Sequence, residues 1–187
     1  MSEVPFVTPE GILAGGVDLG DDRLARLWAP FRMAYVSSGR ADEGCPFCVI
    51  PTLSDDESLI VAHGQTCYAV LNKYPYNPGH LMVVPYRHIG ELDDLSDDEL
   101  AELGVMTRTA VRVIREVSSP HGFNTGLNLG GAAGGSLSDH LHQHVVPRWG
   151  GDANFMTVIG SAKVLPQLLH ETRDLLAEAW PVADEAG

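Results

Sequence analysis

The stretch DHLHQHVVPRW, from Asp139 to Trp149, places three histidines at every second position. Side chains alternate between the faces of a β-strand, so a strand here would set His140, His142 and His144 on one face. Neighbouring histidines would then lie about 7 Å apart, close enough to surround one substrate group. Imidazole titrates near neutrality and can serve as nucleophile, acid or base. The spacing therefore predicts a catalytic strand, whereas a metal-binding face or a solvated cluster is the plainer alternative.

The composition is that of a globular chain with a strongly acidic surface. Its 187 residues carry a formal net charge of −13. Nucleic-acid phosphates are held by basic patches, so this balance argues against a nucleic-acid partner. The N-terminal stretch MSEVPFVTPEG lacks the basic and apolar regions of a signal peptide, and no apolar run reaches the roughly 18 residues of a membrane span. These patterns predict a cytoplasmic protein without a membrane partner.

Hydrophobic periodicity predicts an α+β fold with antiparallel neighbouring strands. The first 20 residues, rich in Gly and Pro, are expected to form an arm before a single domain at 21–187. The predicted helices are residues 21–36, 96–118 and 165–180, the second beginning with the capping box SDDE. The predicted strands are residues 58–63, 66–72, 80–86, 123–130, the histidine stretch and 155–159. A hairpin is expected at 63–65, and Asn-Pro-Gly at 77–79 predicts a turn.

A cysteine pair and a glycine-rich loop are two further candidate ligand sites. Cys45-Pro-Phe-Cys48 has the two-residue spacing of a zinc knuckle, which redox pairs share. The loop GGAAGGS at 130–136 precedes the histidines. Glycines allow backbone N–H groups to approach phosphate oxygens, which favours an anion site, although a flexible connection has the same composition.

Two spaced motifs resemble the histidine triad (HIT) superfamily of nucleotide hydrolases and transferases. HLHQHVV at 140–146 looks like the family signature, and NKYPYNPGHLMVVPYRH at 72–88 is similar to the upstream segment that lines its nucleoside pocket. The resemblance covers about residues 45–155. It implies a HIT-like fold, with a five-stranded antiparallel sheet and flanking helices. It also implies a homo-oligomer, either a dimer or a tetramer.

The resemblance assigns roles to residues by position. His142 would be the nucleophile that forms a covalent nucleotidyl-histidine, and His144 would contact the phosphate. The remaining positions that it places against substrate are Asn72, His80, Asn128 and Ser136. Taken alone, the two asparagines would equally suit the capping of a turn or a strand end.

One departure from the family pattern concerns the glycine loop. Common HIT hydrolases tend to carry Gln where this chain has Gly135, and the smaller residue would open space for inorganic phosphate. The loop, the triad and PRWGGDANF at 147–155 look similar to the actinobacterial diadenosine tetraphosphate phosphorylases, in which Trp149 would shape the pocket rim. Those enzymes convert diadenosine tetraphosphate and phosphate to ADP and ATP. Whether magnesium accompanies the substrate stays open.

A metal site is also implied by the resemblance. Some members of the superfamily, and related nucleotidyltransferases of galactose metabolism, bind zinc through such a cysteine pair and two histidines. By position these histidines are His88 and His140, which would complete a closed structural site with Cys45 and Cys48. In the metal-free alternative, His140 supports His142 through a hydrogen bond.

Three functions remain open at this point. The first is a phosphorylase of dinucleoside polyphosphates. The second is a HIT hydrolase of dinucleoside polyphosphates or nucleoside phosphoramidates, and the third is a nucleotide-binding sensor without turnover. An intact triad argues against the sensor, and dependence on phosphate separates the first two.

Overall fold

The computed structural model describes residues 44–133, 137–152 and 168–181, and before them the two short strands at 12–13 and 17–18. The chain divides into two units, residues 1–39 and residues 40–187. In the first unit, β1 (Ile12–Leu13) pairs antiparallel with β2 (Val17–Asp18). The helix expected at 21–36 and the strand expected at 155–159 lie outside the described residues, as do Gly135 and Ser136.

A five-stranded antiparallel sheet organises the second unit and confirms the predicted fold class. Its strands are β3 (Ile60–His63), β4 (Cys67–Leu71), β5 (Leu81–Pro85), β6 (Gly122–Gly126) and β7 (Gln143–Arg148). Their order across the sheet is β3-β4-β5-β7-β6. Strand β7 therefore lies between β5 and β6, with Leu81 opposite Val145 and Gly126 opposite His144. Every residue of β4 and β5 is buried, so this pair forms the centre of the core.

Four α-helices of the described residues accompany the sheet, and the longest begins at the predicted capping box. They are α1 (Pro46–Val49), α2 (Asp55–Ser58), α3 (Asp97–Ser118) and α4 (Leu169–Glu178). The capping box is confirmed, because the Ser96 hydroxyl accepts from the Glu99 N–H while the Glu99 carboxylate accepts from the Ser96 N–H. Residues 165–167 of the expected last helix lie outside the described part. No helix of the described chain combines the length and hydropathy of a membrane span.

The β3–β4 hairpin closes on a carboxylate of α3. The Glu102 carboxylate accepts from the backbone N–H groups of Gln65, Thr66 and Cys67. A Cβ atom added at Gly64 would lie 2.6 Å from Glu102 Oε1 and 2.9 Å from the Cys67 carbonyl oxygen. Glycine is therefore required at this position by the close approach of the helix to the hairpin.

Candidate active site and metal centre

The histidine stretch enters the sheet later than predicted. Strand β7 begins at Gln143, so the expected strand through His140 and His142 is wrong, and both residues precede it. The reason lies across the sheet in Pro85, which ends β5 and has no N–H to continue the ladder. The Pro85 carbonyl instead accepts from His140 Nε2 at 2.9 Å. The incoming segment is pinned by the Leu141 N–H, which donates to the Ile89 carbonyl at 2.6 Å.

His142 is held in one tautomer by the backbone. Its Nδ1 lies 2.8 Å from the His140 carbonyl oxygen, which can only accept, so Nδ1 carries the hydrogen and Nε2 keeps the lone pair. The side chain is 8% exposed and its ring centroid lies 4.9 Å from that of Phe47. Burial lowers the pKa of His142, while the bond to the His140 carbonyl opposes that shift. A neutral imidazole with its lone pair on Nε2 is chemically able to act as a nucleophile.

His80 and His144 form a directed pair beside it. The Tyr76 N–H donates to His80 Nδ1 at 3.1 Å, so the His80 hydrogen lies on Nε2, which is 2.9 Å from His144 Nδ1. His144 therefore accepts at Nδ1 and carries its own hydrogen on Nε2. Such an N–H can donate to a phosphate oxygen or to a leaving group. The Asn128 amide lies 3.4 Å from this nitrogen and can turn its oxygen towards the hydrogen.

His80 lies deeper than the sequence suggests. It is 0% exposed, whereas the family position led us to expect it against the substrate. Burial first, and then the neighbouring His144 and His142, lower the pKa of His80 to about 3. It therefore stays neutral at physiological pH and contacts His144, which is the more exposed member of the pair.

Four side chains come together as a group that could hold a metal ion. The ligand atoms of Cys45, Cys48, His88 and His140 all lie within 4.8 Å of one another. Cys45 Sγ lies 3.3 Å from His140 Nδ1, and Cys48 Sγ lies 3.3 Å from His88 Nδ1. Two thiols and two imidazoles are the donor set of a structural zinc site, and the His140 Nε2 bond to the backbone is the usual support for a ligating histidine. The residues present therefore fit a metal.

His140 serves both halves of this region. Its ring faces the cysteines, while its carbonyl orients His142. The two roles expected as alternatives, metal ligand or support of His142, are thus compatible in one residue. Phe47, between the cysteines, packs on both rings, with centroid distances of 5.5 Å to His140 and 4.9 Å to His142.

Asn72 and Trp149, which were also expected to contact substrate, lie among the described residues. Asn72 caps its loop, because its Oδ1 accepts from the Tyr74 N–H at 2.9 Å and its Nδ2 lies 3.4 Å from His80 Nδ1. Trp149 follows β7 directly and is partly exposed.

Sequence reasoning missed Tyr76, although it lies inside the quoted upstream motif. Its ring centroid is 4.6 Å from that of His80 and 5.9 Å from that of His144. The signal that could have found it is an aromatic residue four positions before a histidine across a tight turn.

Comparisons with known proteins agree with this geometry. The HIT domain family model matches residues 54–151. The AP-4-A phosphorylase of Mycobacterium tuberculosis is 61% identical over 167 residues, which are 85% of this chain and 86% of that protein. The asymmetrical bis(5'-nucleosyl)-tetraphosphatase of Schizosaccharomyces pombe is 38% identical over 80 residues, 43% of each chain. A solved Zn-bound histidine triad family protein from Mycobacterium smegmatis has a TM-score of 0.59 at 27% identity, over 73% of this chain and 93% of that one. This chain therefore belongs to the HIT family.

Proposed function

We propose that this chain is a HIT-family nucleotidyltransferase that cleaves dinucleoside polyphosphates and passes the nucleotidyl group to inorganic phosphate. The observation that carries the proposal is His142, whose Nδ1 is committed to the His140 carbonyl and whose Nε2 keeps the lone pair. The name of the 61% identical relative, AP-4-A phosphorylase, supports diadenosine tetraphosphate as the substrate.

The proposed reaction has two displacements at one phosphorus. His142 Nε2 attacks the phosphorus next to one adenosine, a P–N bond forms, and the P–O bond to the departing ATP breaks. An oxygen of inorganic phosphate then attacks the same phosphorus, the P–N bond breaks, and ADP leaves. The His144 ring centroid lies 4.9 Å from that of His142. With its hydrogen on Nε2, His144 stabilises the phosphoryl oxygens or protonates the leaving group.

The alternative is hydrolysis, with water as the second nucleophile. It is supported by the name of the Schizosaccharomyces pombe relative, a bis(5'-nucleosyl)-tetraphosphatase. Gly135 is the residue on which we base the preference for phosphate, because a small residue there would leave room for a second anion. Ser136 and the glycine loop would line the same space.

For the metal group we propose zinc in a structural role. The donor set of two cysteines and two histidines supports it, as does the similarity to the Zn-bound protein of Mycobacterium smegmatis. Bound zinc would cross-link the cysteine knuckle to the segment before β7. The residues that act on substrate would be His142 and His144, which lie outside the donor set.

The localisation, oligomeric state and domain bounds of the enzyme are also proposed from the sequence. We expect a cytoplasmic homo-oligomer, a dimer or a tetramer, with residues 1–20 as an arm on a domain at 21–187. The net charge of −13 supports a small-molecule substrate over nucleic acid. Light scattering after size-exclusion chromatography measures the oligomer directly.

The deciding experiment is incubation of the purified protein with diadenosine tetraphosphate, with and without inorganic phosphate, followed by separation of the nucleotides. ADP and ATP formed only with phosphate support the phosphorylase. AMP and ATP formed without phosphate would make it a hydrolase. No turnover in either tube would contradict both and direct attention to phosphoramidates or to a sensor. A parallel series with magnesium tests for a divalent ion on the substrate.

The matched variants are His142→Ala and His170→Ala. We expect the first to abolish turnover, because it removes the attacking nitrogen. The second replaces an exposed histidine of α4 and should keep the wild-type rate. Turnover retained in His142→Ala would contradict the covalent mechanism.

A further inference from the structure

A buried asparagine joins the two loops that flank the histidines. Asn77 is 2% exposed and begins the turn that leads into His80. Its Nδ2 donates one hydrogen to the Pro147 carbonyl and one to Asp152 Oδ2, both at 2.7 Å. The acceptors are 70 and 75 residues away along the chain. One side-chain amide therefore ties the β4–β5 loop to the end of β7.

The partner carboxylate is itself fixed. Arg148 donates from Nε to Asp152 Oδ2 at 2.6 Å and from Nη2 to Oδ1 at 3.0 Å, which is the bidentate geometry of a strong ion pair. The Arg148 guanidinium, with the Asn77 amide, holds the pKa of Asp152 well below its usual range. The carboxylate is thus ionised at neutral pH and accepts from Asn77 with its full charge. Asn124 accepts from Arg148 Nη1 at 2.8 Å and adds a third point of attachment.

The same turn supplies the donor that sets the histidine pair. The Asn77 carbonyl accepts from the His80 N–H at 3.1 Å, with Gly79 at φ +73° closing the turn. Tyr76, the residue before Asn77, gives its N–H to His80 Nδ1 at 3.1 Å. A peptide N–H can only donate, so this contact, shorter than the 3.4 Å contact of the Asn72 amide to the same atom, is the main one that leaves the His80 hydrogen on Nε2. His80 Nε2 then donates to His144 Nδ1 at 2.9 Å, which leaves the His144 hydrogen on Nε2.

The alternative tautomers would change whether His144 Nε2 donates or accepts a hydrogen bond. If the Tyr76 N–H moves away, His80 can carry its hydrogen on Nδ1 and accept at Nε2. His144 would then donate from Nδ1, and its Nε2 would lose the hydrogen. A donor towards phosphate would become an acceptor, which repels phosphate oxygens.

We propose that Asn77, clamped to Asp152, is a positioning residue that fixes the Tyr76 amide and thereby keeps the hydrogen of His144 on Nε2. The use of that hydrogen in turnover rests on the proposed function, whereas the tautomer itself is a property of the protein without substrate. The clamp acts through the turn and through His80, and it contacts no substrate.

The test compares Asn77→Ala with Ser96→Ala, which removes the cap of α3 far along the chain from the turn. Long-range ¹H–¹⁵N spectra of the histidine side chains, recorded without substrate at pH 7.5, report the tautomer of each ring. We expect wild type and Ser96→Ala to show His80 and His144 with hydrogen on Nε2, and Asn77→Ala to show both rings shifted towards the other tautomer. The kcat of Asn77→Ala should fall roughly 10-fold with a smaller change in KM, because a general acid is lost in part.

Wild-type histidine spectra in Asn77→Ala, or losses in kcat no larger than those of Ser96→Ala, would overturn the proposal. If Asn77→Ala does not fold, Asp152→Ala removes the clamp from the other side and carries the same expectation. Asp152→Asn keeps an acceptor oxygen for Asn77 and should retain more of the wild-type tautomer than Asp152→Ala; an equal loss in both would count against a hydrogen-bonded clamp. A protein without phosphorylase activity that still shows the Asn77→Ala shift would overturn the proposed function and leave the clamp standing.

Discussion

The free energy of unfolding should fall at acid pH, because the folded protein keeps His80 neutral. His80 is fully buried, and its pKa is lowered to about 3 by burial and by its histidine neighbours. A histidine in an unfolded chain has a pKa of about 6.5. Between these two values the unfolded chain binds a proton that the folded chain refuses.

The sign and size of the effect follow from linkage. Since the unfolded state binds more protons in this window, the free energy of unfolding is highest near neutral pH and falls as the pH drops below about 6.5. Between pH 7.5 and pH 5, this single group should lower the free energy of unfolding by about 2 kcal/mol. Lowered pKa values at His140 and His142 act in the same direction and add to the slope.

The assay is urea unfolding at pH 7.5 and pH 5 for wild type and His80→Gln. The variant loses hydrogen bonds and should be less stable at pH 7.5, but it cannot titrate. Its loss on acidification should therefore be about 2 kcal/mol smaller than that of wild type. His170→Gln is the matched control, because the His170 side chain is 61% exposed and lies in α4, outside the buried histidine cluster. Equal acid losses in wild type and His80→Gln would refute the view that burial keeps His80 neutral.

Further predictions concern the hairpin and the metal group. Gly64→Ala should lower the free energy of unfolding by about 2 kcal/mol, because the added Cβ meets Glu102. Gly104→Ala in α3 has open space around the added Cβ and should raise the free energy of unfolding by about 0.5–1 kcal/mol. Thermal unfolding measures both changes. Glu102→Gln turns one acceptor into a donor facing backbone N–H groups and should cost about 2 kcal/mol. The hydrogen bonds from residues 65–67 lower the pKa of Glu102, so this difference should shrink in acid as the pH falls through that lowered pKa. Cys48→Ser should lose the zinc that we propose, as measured by elemental analysis, while Cys67→Ala, outside the group, should keep it. Zinc retained in Cys48→Ser at the wild-type level would contradict the proposed ligands.

Local patterns were sufficient for much of the fold. Strands β3, β4 and β5 and helix α3 lie within the predicted ranges, because period-two and 3.6-residue patterns and a capping box are encoded by neighbouring residues. The start of β7 could not be read in this way. It depends on Pro85, which lies 55 residues before His140 in the chain and whose carbonyl accepts from the His140 side chain.

In the candidate site, too, local sequence features were predicted and contacts between distant segments were not. The cysteine pair is visible in the sequence, and the family resemblance supplied His88 and His140 as the partners that the structure brings close to it. Asn77 was explained by the turn signal alone, and nothing nearby in the sequence points to Asp152. Burial of His80 behind His144 was likewise hidden, because it depends on contacts between segments that are 64 residues apart.

The place of β7 in the sheet determines when the site can exist during synthesis. Strands β3, β4 and β5 are neighbours both in the chain and in the sheet, so they can pair as soon as they leave the ribosome. In the described sheet β6 pairs with β7, which lies between it and β5 and comes later in the chain. A nascent or truncated chain that stops before residue 143 would thus hold the cysteine knuckle and both early hairpins while leaving the edge of β5 open to a strand from another chain. In the complete sheet, β7 covers this edge of β5 and brings His144 beside His80.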